Sequence, residues 1–338
     1  MNNAFNFKLN KNIKYTRLVN SLLLNIISIN FIITINSLPT NTLAADVTGL
    51  NLNLSSELKS NSYNNFLEYS FQDLTPSELS SLIILFENLI RKLDISDSHL
   101  PIISHAQQIL YRKLSSQQNK ANLVIQALPL EIRSIAKSNL SARNQFLKMS
   151  SLSPKPNYLP AWTIGEPESS KKLLSYFKKA EKNTGIEWEV LAAINLVETG
   201  FGRISGKSIA NAQGPMQFLP STWLEDGVGM GGDINSPHDS IQAAARYLVK
   251  RGGLNDIRKG LWGYNNSDYY GSAVLEYARL MKQDPNSFNG FYYWQIYYNS
   301  SLGDILLPEG YSQNKKIPIS RYLKELPSSP PPHYSEKY

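Results

Sequence analysis

A chain of 338 residues with 42% hydrophobic content is globular by composition, and is long enough to bury one large core, or one core and a helical accessory region. Its formal charge of +7 is raised by Lys8, Lys11, Lys14 and Arg17, which all precede the first acidic residue, Asp46; the remaining 30 basic residues face 27 acidic ones, spread without runs. That even spread argues against a nucleic-acid partner and suits mild attraction to an anionic cell wall, while the lack of cysteine excludes disulfides and lipid attachment to a thiol.

The chain starts basic and Asn-rich, continues apolar from Leu18 to Leu38, and ends this segment on Thr42-Leu43-Ala44-Ala45. Residues 1–45 read as a secretory signal cleaved near Ala44 or Ala45, or as a retained membrane anchor over 18–38, so export to the cell envelope or beyond is expected. Residues 46–74 read as an Asn/Ser/Leu-rich linker. Thr75-Pro76-Ser77-Glu78 opens a helix, with Thr75 as N-cap and an apolar stripe from Leu79 to Ile90. Helical patterns return over His99–Leu114 and Leu130–Met149, making 75–150 a small helical accessory region. The prolines of 151–160 suggest a second linker.

From 161 the chain is denser in aromatics and glycines. Ser169–Lys182 and Glu187–Glu198 read as helices, and Ser236-Pro237-His238-Asp239 caps another that stops at Gly252-Gly253. Ser267-Asp268 opens one more, through Val274, Tyr277, Ala278 and Met281. Strand signals are scarce: the aromatic run Phe291–Tyr298 and the short Ile305–Leu307 allow a small sheet or an extended tail at most. The expected class is therefore mainly α, with a compact domain over 161–312 and a disordered tail over 313–338.

Glu198 lies four residues after Ile194 and seven after Leu191, so a helix places it on their apolar face. Burial there raises a carboxyl's pKa and keeps it protonated for general-acid work. By spacing alone, a Glu that bends out to water from the edge of the stripe is an equal alternative. In Asn211–Trp223, small residues and glycine allow close approach of a ligand, and Met216, Gln217 and Trp223 could offer an apolar wall, a polar contact and a stacking face; Met and Trp also belong in cores. Tyr264-Asn265-Asn266-Ser267 offers a phenol and an amide, or simply a turn and an N-cap.

Taken in order, Glu198-Thr199-Gly200, Ser208, Ala212-Gln213-Gly214-Pro215-Met216-Gln217 and Tyr264-Asn265 resemble the lytic transglycosylase and goose-type lysozyme superfamily. The run Gln213–Trp223, with Gly232–Ile241, Ala243–Leu248 and Leu307–Tyr311, is similar to secreted actinobacterial lytic murein transglycosylases, near the membrane-bound lytic transglycosylase B type. The resemblance spans Leu159 to about Tyr311. It implies a lysozyme-like catalytic domain, Glu198 as the catalytic residue, Ser208 and Tyr264 positioning the muramyl unit or the Glu, and Met216, Gln217 and Asn265 lining sugar subsites. Asn211 stands where the family usually has Gly, and Pro215 where the soluble type usually has Leu. The calcium loop of the B type is reduced to Asp226–Asp233, too few oxygens for six to eight ligands, so no metal and no cofactor are expected.

Most glycosidases use two carboxylates; here the motifs support one. The resemblance therefore implies that Glu198 protonates the bond between N-acetylmuramic acid and N-acetylglucosamine, then deprotonates the muramyl C6 hydroxyl, which closes a 1,6-anhydro ring. The expected partner is peptidoglycan, met by a monomer. Competing readings are a hydrolytic muramidase with Asp226, Asp233 or Asp239 positioning water, and a non-catalytic wall-binding protein.

Overall fold

The computed structural model describes residue 71 and residues 74–325. The expected signal or anchor, nearly all of the 46–74 linker, and the proline-rich end fall outside the described residues. No helix among the described residues is long and apolar enough to cross a membrane.

The protein is mainly helical, and several of its helices start where a side chain satisfies one of their first amide groups. Helix α1, Pro76–Lys92, opens on a reciprocal cap: Glu78 N–H donates to Thr75 Oγ1 at 3.3 Å, and Thr75 N–H donates to the Glu78 carboxylate at 2.8 Å. Helices α2 (Leu100–Ser115), α3 (Gln118–Ala127) and α4 (Leu130–Ser150) follow. Helix α3 has no counterpart in the sequence expectation because its stripe is thin, with only Ala121 and Val124 buried along its length.

Two helices then form the frame of the second half. They are α5, Ser170–Thr184, ended by the left-handed Gly185, and α6, Trp188–Thr199. The short α7 (Pro220–Trp223) precedes α8 (Pro237–Lys250), which is capped by Ser236 as its sequence indicates. Helices α9 (Ile257–Tyr264), α10 (Asp268–Gln283) and α11 (Asn286–Tyr292) complete this part. Helix α6 is central: Val190 to Asn195 are all buried, because α5, α8, α10 and α11 pack around it. Helix α10 also lies along α4, so the helices of residues 75–150 pack directly on the second half.

The aromatic run read as extended is divided. Its first two residues close α11, where Gly290 lets the helix approach Ile90 so closely that a Cβ would sit 2.8 Å from its Cγ2. Strand formation waits for β4, Ile296–Ser300, hairpin-paired with β5, Gly303–Leu307. Two further antiparallel pairs are two residues long: β1, Tyr158–Leu159, with β6, Ile317–Pro318, and β2, Thr163–Ile164, with β3, Ile204–Ser205. Leu159, Ile164, Ile296, Leu307, Ile317 and Ile319 share one apolar cluster. The tail expected from 313 is thereby corrected: burial of Ile317 and Ile319 keeps the chain folded through helix α12, Ile319–Glu325.

Candidate active site

Helix α6 carries Glu198 one residue before its end and stops because Gly200 turns left-handed, at φ +60°. Phe201 and Gly202 follow at φ +65° and +90°, so the chain reverses within three residues. For Phe201 this backbone costs of order 1–3 kcal/mol. Burial of its ring against Phe177 and Phe288, with centroids at 6.5 and 5.2 Å, offsets that strain. The turn leaves the Glu198 carboxyl at a helix end with part of the side chain still open to solvent.

One carboxyl oxygen, Oε1, accepts the Tyr270 hydroxyl at 2.6 Å; Oε2 takes no hydrogen bond from the described residues. Burial pushes the Glu198 pKa from 4.5 up to about 7, and the Tyr270 hydrogen bond pulls the other way. No second carboxylate among the described residues is close enough to contribute to that shift. Tyr270 is buried at the start of α10, and its ring stacks on Tyr264 with planes 4° apart. Burial, and then the charge of Glu198, raise both phenols well above 10, so each is a hydrogen-bond donor throughout the physiological range.

The loop after α6 is tied back to that same helix. Gln213 and Phe218 exchange backbone hydrogen bonds at 2.8 and 2.9 Å, and Gln217 N–H closes the turn onto Gly214 O. The Pro215 carbonyl accepts from Asn195 Nδ2 at 2.9 Å and Thr199 Oγ1 at 2.6 Å. The next carbonyl, Met216 O, accepts the Tyr264 hydroxyl at 2.7 Å. A closed circuit results: α6 holds the loop, the loop holds Tyr264, Tyr264 stacks on Tyr270, and Tyr270 holds Glu198. Each member fixes the next, so the carboxyl has little freedom to swing.

Residues 175–275 match the family model of the transglycosylase SLT domain. The chain carries an SLT transglycosylase domain. No curated protein and no solved structure gives a significant match. The SLT match supports transglycosylase action on peptidoglycan, and its span includes the whole circuit around Glu198.

Within the SLT domain the residues singled out by sequence have unequal positions. Gln217, at φ +47°, turns its amide onto Gly214 O at 3.0 Å. Met216 has no exposed surface, so its side chain fills the floor beneath the loop while its carbonyl does the holding. Tyr264 stands one ring away from the catalytic candidate, and Tyr270 makes the direct contact. Ser208 Oγ accepts from the amides of Ala210 and Ala212, at 3.2 and 3.1 Å, which folds its own loop. Asn265 is exposed at the C-cap of α9. Trp223 lies edge-on to Phe218 at 5.5 Å.

Tyr270 and Asn195 are the participants the sequence reading missed, and Thr199, quoted within the first motif, was given no role there. Tyr270 precedes Val274 by four and Tyr277 by seven, so extending the α10 stripe back one turn would have placed it inside. Asn195 precedes Thr199 by four on α6, a spacing that puts two donors side by side. In the Asp226–Asp233 loop, the carbonyls of Asp226 and Val228 accept from Lys250 and Arg246. No group of three or more His, Asp or Glu among the described residues is placed to hold a metal ion.

Proposed function

We propose that the protein is an exported lytic transglycosylase that cuts the β-1,4 bond between N-acetylmuramic acid and N-acetylglucosamine and leaves a 1,6-anhydro end, with Glu198 as acid and then base. The observation that carries this reading is a single carboxyl whose pKa of about 7 suits both roles near neutrality. Protonated Glu198 donates to the glycosidic oxygen through Oε2, the oxygen Tyr270 leaves open. The bond from muramyl C1 to that oxygen breaks, and the electron pair leaves with the sugar alcohol. The carboxylate then accepts the C6 hydroxyl proton as that oxygen bonds C1, which returns Glu198 to its acid form. Ring closure is intramolecular, so effective concentration favours it over water.

Asp226 is exposed, Asp233 accepts the Asn235 amide, and Asp239 accepts the Asp233 amide and Nδ1 of His238. Asp233 and Asp239 are thus engaged in turn and helix-start roles, which argues against either of them steering a water. In this reading Ser208, Gln217, Tyr264 and Asn265 border the sugar path, residues 75–150 act as an accessory buttress, and residues 1–45 direct export. Mass spectrometry of products from purified sacculi tests the chemistry. The expected fragments end in anhydromuramic acid and are lighter by one water than reducing ends. Fragments with reducing ends would mean hydrolysis.

Tyr270→Phe separates holding the acid from being the acid. Loss of a donor that favours the carboxylate moves the alkaline limb of the pH–rate profile to higher pH. Turnover at neutrality falls roughly ten- to a hundredfold, the worth of a hydrogen bond to a charged group. An unmoved limb with reduced rate would assign Tyr270 a purely structural part.

A further inference from the structure

A cavity of about 230 Å³ lies behind the catalytic helix, between α2, α4, α10 and the segment entering β4. Leu196, Val197 and Gly200 line it, whereas Glu198 does not. Leu196 and Val197 lie about 160° and 100° around the helix from Glu198, and Gly200 follows its end, so the cavity is distinct from the candidate active site.

Its charge is unbalanced. Arg112 and Arg143 both donate to the same oxygen, Asp304 Oδ2, at 2.5 Å, while Asn299 takes Oδ1. One carboxylate, itself outside the lining, therefore faces two guanidinium groups, and no acid is among the residues that line the cavity. Glu87, beyond Tyr111 and outside the lining, pairs with Arg91 at 2.7 Å, and Arg91 also meets Asp284 at 3.2 Å. Arg112 also lies over the Tyr297 ring, 4.1 Å from its centroid. Three buried polar atoms of the lining have no hydrogen-bond partner: Arg112 Nε, Arg143 Nε and Asn139 Oδ1. Unmatched buried donors each cost roughly 1–3 kcal/mol, more when charged, and a second buried cation without a counter-ion is costlier still. Burial first, and then the nearby Arg112, depress the Arg143 pKa, as expected for a cation lacking its share of negative charge. Tyr277, Phe146 and Trp294 supply an otherwise aromatic wall.

We propose that this cavity binds the terminal carboxylate of a short peptide, with Arg143 and Arg112 as its counter-charge and the aromatic wall against its small side chains. The volume lies below the range of drug-sized pockets, which limits the occupant to a small terminal group. Choosing a peptide rests on the peptidoglycan reading, because the peptide stems of that polymer end in D-alanine carboxylates.

Isothermal titration of the full chain with N-acetyl-D-alanyl-D-alanine, and with its C-terminal amide, tests the site without any substitution. The acid is expected to bind saturably at one site, and the amide at least tenfold more weakly. Arg143→Met leaves Arg112 and Asp304 as a matched pair and is expected to weaken binding of the acid tenfold or more. Glu198→Gln, on the far face of α6, is expected to bind as the wild type does. Equal binding of acid and amide, no saturable binding, full affinity in Arg143→Met, or loss of binding in Glu198→Gln would each overturn the proposal. The titration needs no turnover, whereas product mass needs no occupant here, so failure of one reading is distinguishable from failure of the other.

Discussion

Glu198→Gln is expected to lower glycan cleavage by roughly 10² to 10⁴ or more, the contribution of a positioned general acid, while making the folded protein more stable above neutral pH. The second half of that expectation follows from burial. With a folded pKa of about 7 against an ordinary 4.5, the folded state holds this proton more tightly than the unfolded chain does. Stability contributed by the bound proton is complete below pH 4.5 and is lost as pH rises through 7. The full loss is at most about 3 kcal/mol at 1.36 kcal/mol per unit, and partial exposure of the side chain keeps it below that ceiling. Glutamine never ionises, yet its carbonyl still accepts the Tyr270 hydroxyl. Thermal unfolding should therefore coincide for the two proteins near pH 4 and separate near pH 8, with the variant higher by several degrees. A separation that does not change with pH would show a solvated carboxyl, and a wild-type rate in the variant would move the chemistry elsewhere.

How much of this was legible beforehand depended on whether the signal was local. Thr75-Pro76 and Ser236-Pro237 mark helix starts because a hydroxyl and a ring act within one turn, and both starts stand where the sequence put them. Glu198 was legible because its spacing from Leu191 and Ile194 fixes its face. The face alone left two outcomes open, and the packing of α10 selects the buried one by bringing Tyr270 to the carboxyl. That contact joins residues 72 apart, so no spacing rule could reveal it. Met216 meets Tyr264 through its backbone carbonyl, which no motif foretells, since a motif does not distinguish a side chain from the carbonyl beside it. The β1–β6 pair was invisible for a related cause: two-residue strands carry no alternation to read.

Gly214→Ala is expected to damage both stability and activity, by more than any other single methyl group added within the SLT domain. Gly214 has φ +74°, and a Cβ there would stand 1.9 Å from the backbone oxygen of Ile234 and 2.9 Å from its carbonyl carbon. That neighbour has little room to yield, because Ser236 two residues on is bonded to Asp233 O and caps α8. The turn must open instead, and with it the Gln213–Phe218 pair that presents Pro215 O and Met216 O to Asn195, Thr199 and Tyr264. We expect a loss of roughly 3–5 kcal/mol in denaturant unfolding. Among molecules that remain folded, cleavage should fall roughly a hundredfold, as for a displacement of about 1 Å in a positioning group. Gly231→Ala is the matched control: its φ is +76°, but a Cβ there meets nothing within 4 Å. It carries the conformational cost alone, of order 1–3 kcal/mol, and should leave cleavage intact. Were the two variants equally stable and equally active, the close fit of the turn against residue 234 would not be what holds the loop, and the circuit that fixes Glu198 would need another anchor.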